Sequence, residues 1–177
     1  MSRFWIILAA GTLFLLVFSW FSSIREKRIH GYPRFFAFES VFVLILLNEK
    51  VWFRDPLSIL QVLSWLLLLV SIVVVAAGFF ALVKFGKPRD GNFEKTTRLV
   101  DRGIFRLIRH PMYASLLYLG LGAFLKEVRW LTGCVLAVNI AASWATALME
   151  EREMKMKFGE AYSDYMKKSK RFIPFVI

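Results

Sequence analysis

The sequence has little of the side-chain chemistry that builds disulfides and metal centres. Its 177 residues include one cysteine, Cys134, and two histidines. A single cysteine excludes an internal disulfide. Because Cys134 lies within an apolar run, we interpret it as a small buried hydrophobic residue. The pattern offers no framework for a metal, and we expect none.

Acidic residues are also scarce, with 13 aspartates and glutamates against 24 lysines and arginines, a net charge of +11. The basic residues lie between apolar runs rather than in one block. We therefore expect them to set membrane topology and to meet anionic lipid, and not to bind nucleic acid. Hydrophobic residues make up 58% of the chain and the mean hydropathy is +0.55. These values exclude an ordinary soluble domain and are typical of a multi-pass membrane protein.

Apolar runs recur along the whole chain. They cover residues 4–21, 35–53, 57–83, 112–125 and 130–149. The fourth run is short enough for a re-entrant or interfacial element, since a full span needs about 20 residues. Small residues such as Gly120, Gly122 and Gly133 would let the fourth and fifth runs pack closely as a hairpin. The sequence predicts an all-α integral membrane protein with about five transmembrane helices in one domain, 1–177.

The basic residues are divided unequally between the loops. The segments 25–34 and 84–110 and the tail after Met149 carry 4, 8 and 7 of them, which is 19 of 24. Because cytoplasmic loops are enriched in lysine and arginine, we predict an outside N-terminus, a cytoplasmic loop 84–111 and a cytoplasmic tail 150–177.

The tail itself has a helical pattern. We expect the fifth helix to continue past Met149 and to stop near Gly159. A short amphipathic helix follows, with its basic end, 167–171, at the lipid headgroups. Pro174 would stop that helix.

The most informative stretch is residues 99–113, which reads LVDRGIFRLIRHPMY. His110 precedes Pro111, so its backbone is pushed away from the α region. Pro111 suits the first turn of a helix, where its missing N–H costs nothing. The stretch predicts a bend that starts a new span. The hairpin would bring His110 to the membrane depth of Glu150.

Three further pieces follow this stretch: Glu-Glu at 150–151, FGEAYSDY at 158–165 and RFIP at 171–174. Together they resemble the signature of the isoprenylcysteine carboxyl methyltransferases and the related phospholipid methyltransferases. Order and spacing agree over roughly residues 95–177. The first two or three spans carry no specific match.

The resemblance implies S-adenosylmethionine as methyl donor, S-adenosylhomocysteine as product, and a lipid-like or prenylated acceptor. It also assigns residues by position. The implied cofactor-binding residues are Thr97, Arg98, Leu99, Val100, Phe105, His110, Pro111, Met112, Tyr113 and Glu150. Arg171 and Glu150 are the catalytic candidates. The side chains are compatible with this, since the apolar ones suit an adenine and a carboxylate suits an ammonium or ribose hydroxyls.

The chain departs from the prenylcysteine enzymes at one place. There an arginine lies in the fifth span, one helical turn before the cofactor glutamate, and here that position is Thr146. This weakens the case for a prenylcysteine carboxylate. Arg171 is the candidate replacement for the missing cation, and the acceptor group is either a carboxylate or an amine.

Other interpretations stay open at this point. Membrane sterol reductases resemble the C-terminal half, so an NADPH-dependent oxidoreductase is one alternative, and a non-enzymatic transporter or lipid-binding protein is another. For single residues, Arg106 and Arg109 read as headgroup anchors and Glu151 as part of a solvated helix face.

Overall fold

The structure is a computed structural model that describes residues 3–22, 28–87 and 96–176. The predictions that involve Arg25, Lys27 and residues 88–95 lie outside the described residues.

The described parts of the chain form α-helices joined by turns, which confirms the all-α class. The helices are α1 (Arg3–Ser22), α2 (Gly31–Leu47), α3 (Ile59–Gly86), α4 (Pro111–Phe124), α5 (Trp130–Phe158) and α6 (Glu160–Lys168). Two single 3-10 turns, Glu49–Val51 and Gly103–Arg106, lie in the connections.

Three of these helices, α1, α3 and α5, are long and apolar enough to cross a bilayer. The first, third and fifth predicted spans are therefore confirmed as helices of sufficient length, and the chain is a membrane protein. The α2 and α4 helices have 17 and 14 residues. A full crossing by either stays a prediction.

The second predicted span, 35–53, was wrong in its bounds. The helix begins at Gly31, where Pro33 is tolerated in the first turn, and it ends at Leu47. Asn48 leaves the helical conformation, and its side-chain amide donates to the Ala123 carbonyl oxygen at 2.7 Å. The apolar residues that follow therefore lie in turns.

The α5 helix has 29 residues and is about 44 Å long, so it is longer than the ~30 Å hydrocarbon core. It ends one residue before Gly159, which has a φ of +58° that a residue with a side chain rarely adopts. The predicted stop near Gly159 is confirmed. The short amphipathic helix is α6, which buries Tyr162 and Tyr165. The prediction that Pro174 stops it was wrong, since the helix ends at Lys168 and Ser169 is extended.

The chain divides into two compact units. The first consists of Met1–Leu69 and Leu116–Met149, and the second of Val70–Ser115 and Glu150–Ile177.

Close packing in the first unit depends on glycines of α4. A Cβ atom at Gly120 would lie 2.7 Å from Oδ1 of Asn139 on α5. The Asn139 amide nitrogen in turn donates to the Ala37 carbonyl oxygen of α2 at 3.0 Å. At Gly122, the Ser64 hydroxyl of α3 donates to the carbonyl oxygen at 2.7 Å. The prediction that small residues let the hairpin pack closely is thus confirmed for Gly120, whereas Gly122 packs against α3 and Gly133 has room for a side-chain carbon.

The turn between α4 and α5 is also held in the first unit. Lys126 is buried, and its ammonium lies 3.6 Å from the centroid of the Trp65 ring. The same ammonium donates to Oε1 of Gln61 at 3.1 Å. A cation–π contact and one neutral acceptor thus replace the carboxylate that a buried lysine usually has.

We predict that Gly120→Ala destabilises the protein by about 1–3 kcal/mol, because the new methyl group displaces Asn139 from Ala37. Thermal unfolding in detergent measures the effect. The matched control is Gly133→Ala on α5, where a Cβ meets only an ordinary 3.8 Å contact with Phe124. That control should be neutral or stabilising by up to about 1 kcal/mol. Equal losses in both variants would contradict the packing described here.

Candidate functional site

The bend before α4 forms as the local sequence predicts. Pro111 is the first residue of α4, and the His110 carbonyl oxygen accepts the Ala114 N–H at 2.9 Å. The His110 side chain is therefore placed at the N-terminal end of α4. Both residues belong to the second unit, as does every contact of the site that follows.

The loop that leads to the bend is anchored on the last turns of α3. Val100 and Phe105 are buried in one cluster with Ala81 of α3. Gly103 has a φ of +60°, and its position faces Ala81 at van der Waals distance. A glycine with positive φ thus lets the loop turn against the helix.

The C-terminal tail pairs with the same loop through its backbone. The Arg109 N–H donates to the Lys170 carbonyl oxygen at 2.7 Å, and the His110 N–H donates to that of Arg171 at 3.1 Å. The Lys170 N–H donates back to the Leu107 carbonyl oxygen at 3.0 Å. This parallel pairing brings together segments about 60 residues apart in the sequence.

Glu151 of α5 lies at the centre of the charges in this unit. Its Oε1 accepts from Nε of Arg109 at 3.1 Å and from Nε of Arg171 at 3.0 Å. Its Oε2 accepts from Nη2 of Arg171 at 2.9 Å. The Glu151 and Arg109 side chains are only 6% and 8% exposed. The solvated-face interpretation of Glu151 and the headgroup-anchor interpretation of Arg109 were therefore wrong, whereas Arg106 is exposed.

Arg109 also holds the end of α6. Its Nη1 donates to the carbonyl oxygens of Met166, at 3.1 Å, and of Ser169. A cation is favourable at these carbonyls, which have no partner within the helix. The hydroxyl of Tyr165 donates to the Phe105 carbonyl oxygen at 2.6 Å. The Arg109 guanidinium group thereby joins the loop, α5, α6 and the tail.

His110 lies between two carboxylates. Its Nδ1 is 3.4 Å from Oε2 of Glu150, and its Nε2 is 3.4 Å from Oε1 of Glu151. Burial alone lowers the pKa of His110, but the two carboxylates outweigh it and raise the pKa above its usual 6.5. Nε2 makes no hydrogen bond of good geometry.

Glu150 is the more open of the two acids. Its side chain is 26% exposed, and its Oε1 accepts a hydrogen bond from the Tyr113 hydroxyl. The His110 ring lies 5.9 Å from the ring of Tyr113 and 6.1 Å from that of Phe172, centroid to centroid. A partly open carboxylate beside an imidazole and aromatic rings can bind a small molecule that has both charged and apolar parts.

The structure thus brings together four of the predicted site residues: His110, Tyr113, Glu150 and Arg171. The sequence analysis left Glu151 out of the site. The signal that could have found it is the pair of arginines in the motifs, Arg109 and Arg171, because buried guanidinium groups need a carboxylate partner.

The other predicted residues lie against α3. Val100 and Phe105 pack in the apolar cluster described above. The backbone N–H groups of Thr97 and Arg98 donate to the Gly86 carbonyl oxygen at the end of α3, at 3.0 and 3.3 Å. Leu99, which follows Arg98, is half-buried. Pro111 and Met112 also pack against α3, at Gly78.

Apolar helices of spanning length and a largely buried cluster of two arginines, two glutamates and a histidine define a helical membrane protein with a polar site at the N-terminal end of α4. The model of the phospholipid methyltransferase family matches residues 59–161, which is 103 of the 177 residues. The chain belongs to that family. The match begins at α3, so it also includes the third span, where the residues alone showed no specific resemblance.

Two curated relatives support this assignment. They are protein-S-isoprenylcysteine O-methyltransferase B and protein-S-isoprenylcysteine O-methyltransferase A, both of Arabidopsis thaliana. Each is 24% identical over 131 residues, which is 73% of this chain and 64% of the relative. The aligned part thus spans less than two thirds of these relatives' length. The resemblance drawn from residues 99–113 and the motifs after them is confirmed.

We predict that Glu151→Gln lowers the free energy of unfolding by about 3–5 kcal/mol, because it leaves the buried Arg109 guanidinium without its carboxylate. The unfolding midpoint in detergent is the measurement. The control is Glu160→Gln, an exposed glutamate of α6, which should change stability by no more than about 0.5 kcal/mol. A loss of the same size in the control would argue against Glu151 as the central charge.

Proposed function

We propose that this protein is a membrane methyltransferase that uses S-adenosylmethionine and acts on a lipid-like acceptor at the cytoplasmic face. The observation that carries the proposal is His110 held between Glu150 and Glu151 in a chain of the phospholipid methyltransferase family. When bound, S-adenosylmethionine supplies a methyl group activated on a sulfonium.

The residues present fit such a donor. Glu150 offers a partly exposed carboxylate for an ammonium group or ribose hydroxyls. His110 has its Nδ1 3.4 Å from Oε2 of Glu150, so it helps to position that carboxylate. The aromatic rings of Tyr113 and Phe172 beside it supply apolar surface. We assign His110, Tyr113 and Glu150 to the cofactor, as the sequence analysis predicted.

The chain's residues contribute mainly by positioning, because methyl transfer needs two aligned reactants and little water. A carboxylate acceptor needs no base. An amine acceptor must lose a proton, and His110 is poorly placed as the base because both of its ring nitrogens face carboxylates of the protein. In that case Glu150, the more open carboxylate, takes the proton.

The acceptor is anchored, in our proposal, by Arg171. Thr146 cannot replace the family arginine, since its hydroxyl donates to the Ala142 carbonyl oxygen of its own helix at 2.7 Å and is buried. Arg171 is more exposed than Arg109, although Glu151 engages both. It would orient an acidic group of the acceptor, such as the carboxylate of a prenylcysteine or the phosphate of a phospholipid.

Two observations support the orientation. The loop 84–110 and the tail after Met149 carry 15 of the 24 basic residues, 8 and 7 respectively. Their backbones pair at Leu107–His110 and Lys170–Arg171, so these two segments lie on one side. By the positive-inside rule that side is the cytoplasm.

For the cofactor, we predict that S-adenosylhomocysteine binds the purified protein and NADPH does not. His110→Ala and Glu150→Ala should each weaken binding by roughly tenfold or more, since each removes a polar group of the site. Titration calorimetry measures the dissociation constants, with Glu160→Ala as an exposed control of unchanged affinity. Preference for NADPH would favour the sterol-reductase alternative and overturn the proposal.

For the acceptor, we predict that labelled methyl groups pass from S-adenosylmethionine to a component of a native lipid extract. Mass spectrometry of the product identifies the acceptor. Label released by mild base indicates a methyl ester on a carboxylate, whereas stable label indicates methylation of an amine. Absence of label in every acceptor, with the cofactor bound, would favour a non-enzymatic membrane protein.

A further inference from the structure

The segment after the tail pairing carries exposed apolar side chains that the site does not use. Phe172 is buried, but Ile173, Phe175 and Val176 are exposed. The Val176 N–H donates to the Ile173 carbonyl oxygen at 3.2 Å, which closes a turn. We call Ile173, Phe175 and Val176 the apolar turn. Grouped apolar side chains in contact with water are unfavourable unless something covers them.

Basic side chains surround this segment. Lys168 and Lys170 precede it and are exposed. Arg106 is exposed on the loop, next to Leu107, whose carbonyl oxygen accepts the Lys170 N–H. Exposed apolar residues flanked by cations are the combination that binds anionic lipid surfaces. A purely apolar protein partner would leave these charges without compensation.

The position of the apolar turn in its unit also points to the bilayer. The spanning helix α3 ends at Gly86, and the Lys84 ammonium near that end lies 5.3 Å from the Phe80 ring centroid. A lysine whose stem lies along the apolar last turns of a helix is typical of a membrane boundary. Phe105 packs on the same last turns, and the loop that follows pairs with the tail. The tail is therefore tied to the place where α3 leaves the membrane.

We propose that the apolar turn and its basic neighbours dock onto the anionic surface of the leaflet in which this unit is embedded. The apolar side chains enter the boundary between headgroups and acyl chains, and the lysines contact the headgroups. Arg171 and Phe172 immediately precede the turn and contact Glu151 and His110. Docking therefore restricts the motion of the tail residues that contact the site. This last consequence rests on the proposed function, whereas docking itself does not.

The test uses the full chain in vesicles, in a Cys134→Ser background. One sample carries Val176→Cys with an environment-sensitive fluorophore, and the control carries Met156→Cys with the same label. Met156 is a large apolar residue on the part of α5 beyond Met149, and it is 81% exposed. Vesicles contain brominated phosphatidylcholine alone or mixed with phosphatidylglycerol. Bromine quenches only a label that enters the bilayer.

We expect quenching of the label at position 176 to exceed that at position 156 several-fold and to increase with phosphatidylglycerol. Replacing Lys168 and Lys170 by glutamine should remove the increase, and Phe175→Ser should reduce the quenching itself. Equal quenching at both positions, or none at either, would overturn the proposal. Self-quenching between labelled chains that disappears on dilution with unlabelled protein would also overturn the proposal. It would show that the apolar turn contacts a second copy of the chain. These readouts need neither cofactor nor methyl transfer, so they stay informative if the proposed activity fails.

Discussion

One buried carboxylate, that of Glu151, compensates two guanidinium groups, and the second unit depends on this interaction. Arg109 and Glu151 are almost completely shielded from water, where an unpaired charge costs several kcal/mol. Each partner comes from a different segment: the loop, α5 and the tail. These ion pairs connect the loop, α5 and the tail. The same contacts position His110 beside Glu150 and Glu151.

This arrangement explains how a polar site can exist at the end of membrane helices. The charges neutralise one another within the protein, and the arginine that also caps α6 links the tail to the loop. The carboxylate left most open is Glu150, which faces His110 and Tyr113. The residues proposed to contact the cofactor thus lie beside a cluster of paired charges. Such a cluster can hold them in the fixed geometry that methyl transfer between two aligned reactants requires. The family match and the proposed use of the tail at the membrane are consistent with this placement.

The sequence predicted the features that depend on neighbouring residues. Long apolar runs became α1, α3 and α5, because only a helix satisfies the backbone in a bilayer. The bend at His110 follows from the proline after it, and the end of α5 follows from Gly159. The prediction failed where a distant contact decided the outcome. The α2 helix ends at Leu47 because Asn48 donates to Ala123, 75 residues away, and no local pattern contains that bond.

By itself, the sequence determined the helical membrane class, the bend, the charge imbalance and the family signature, since each depends on composition or on residues close together in the chain. Only the tertiary structure decided which glutamate is buried and what Arg109 does. Adjacent glutamates on a helix differ by about 100° in direction, so one can face a buried cluster while the other stays partly open. Which glutamate is buried depends on Arg109 and Arg171, which are 42 and 20 residues away in the sequence. These arginines contact the glutamate only in the folded chain.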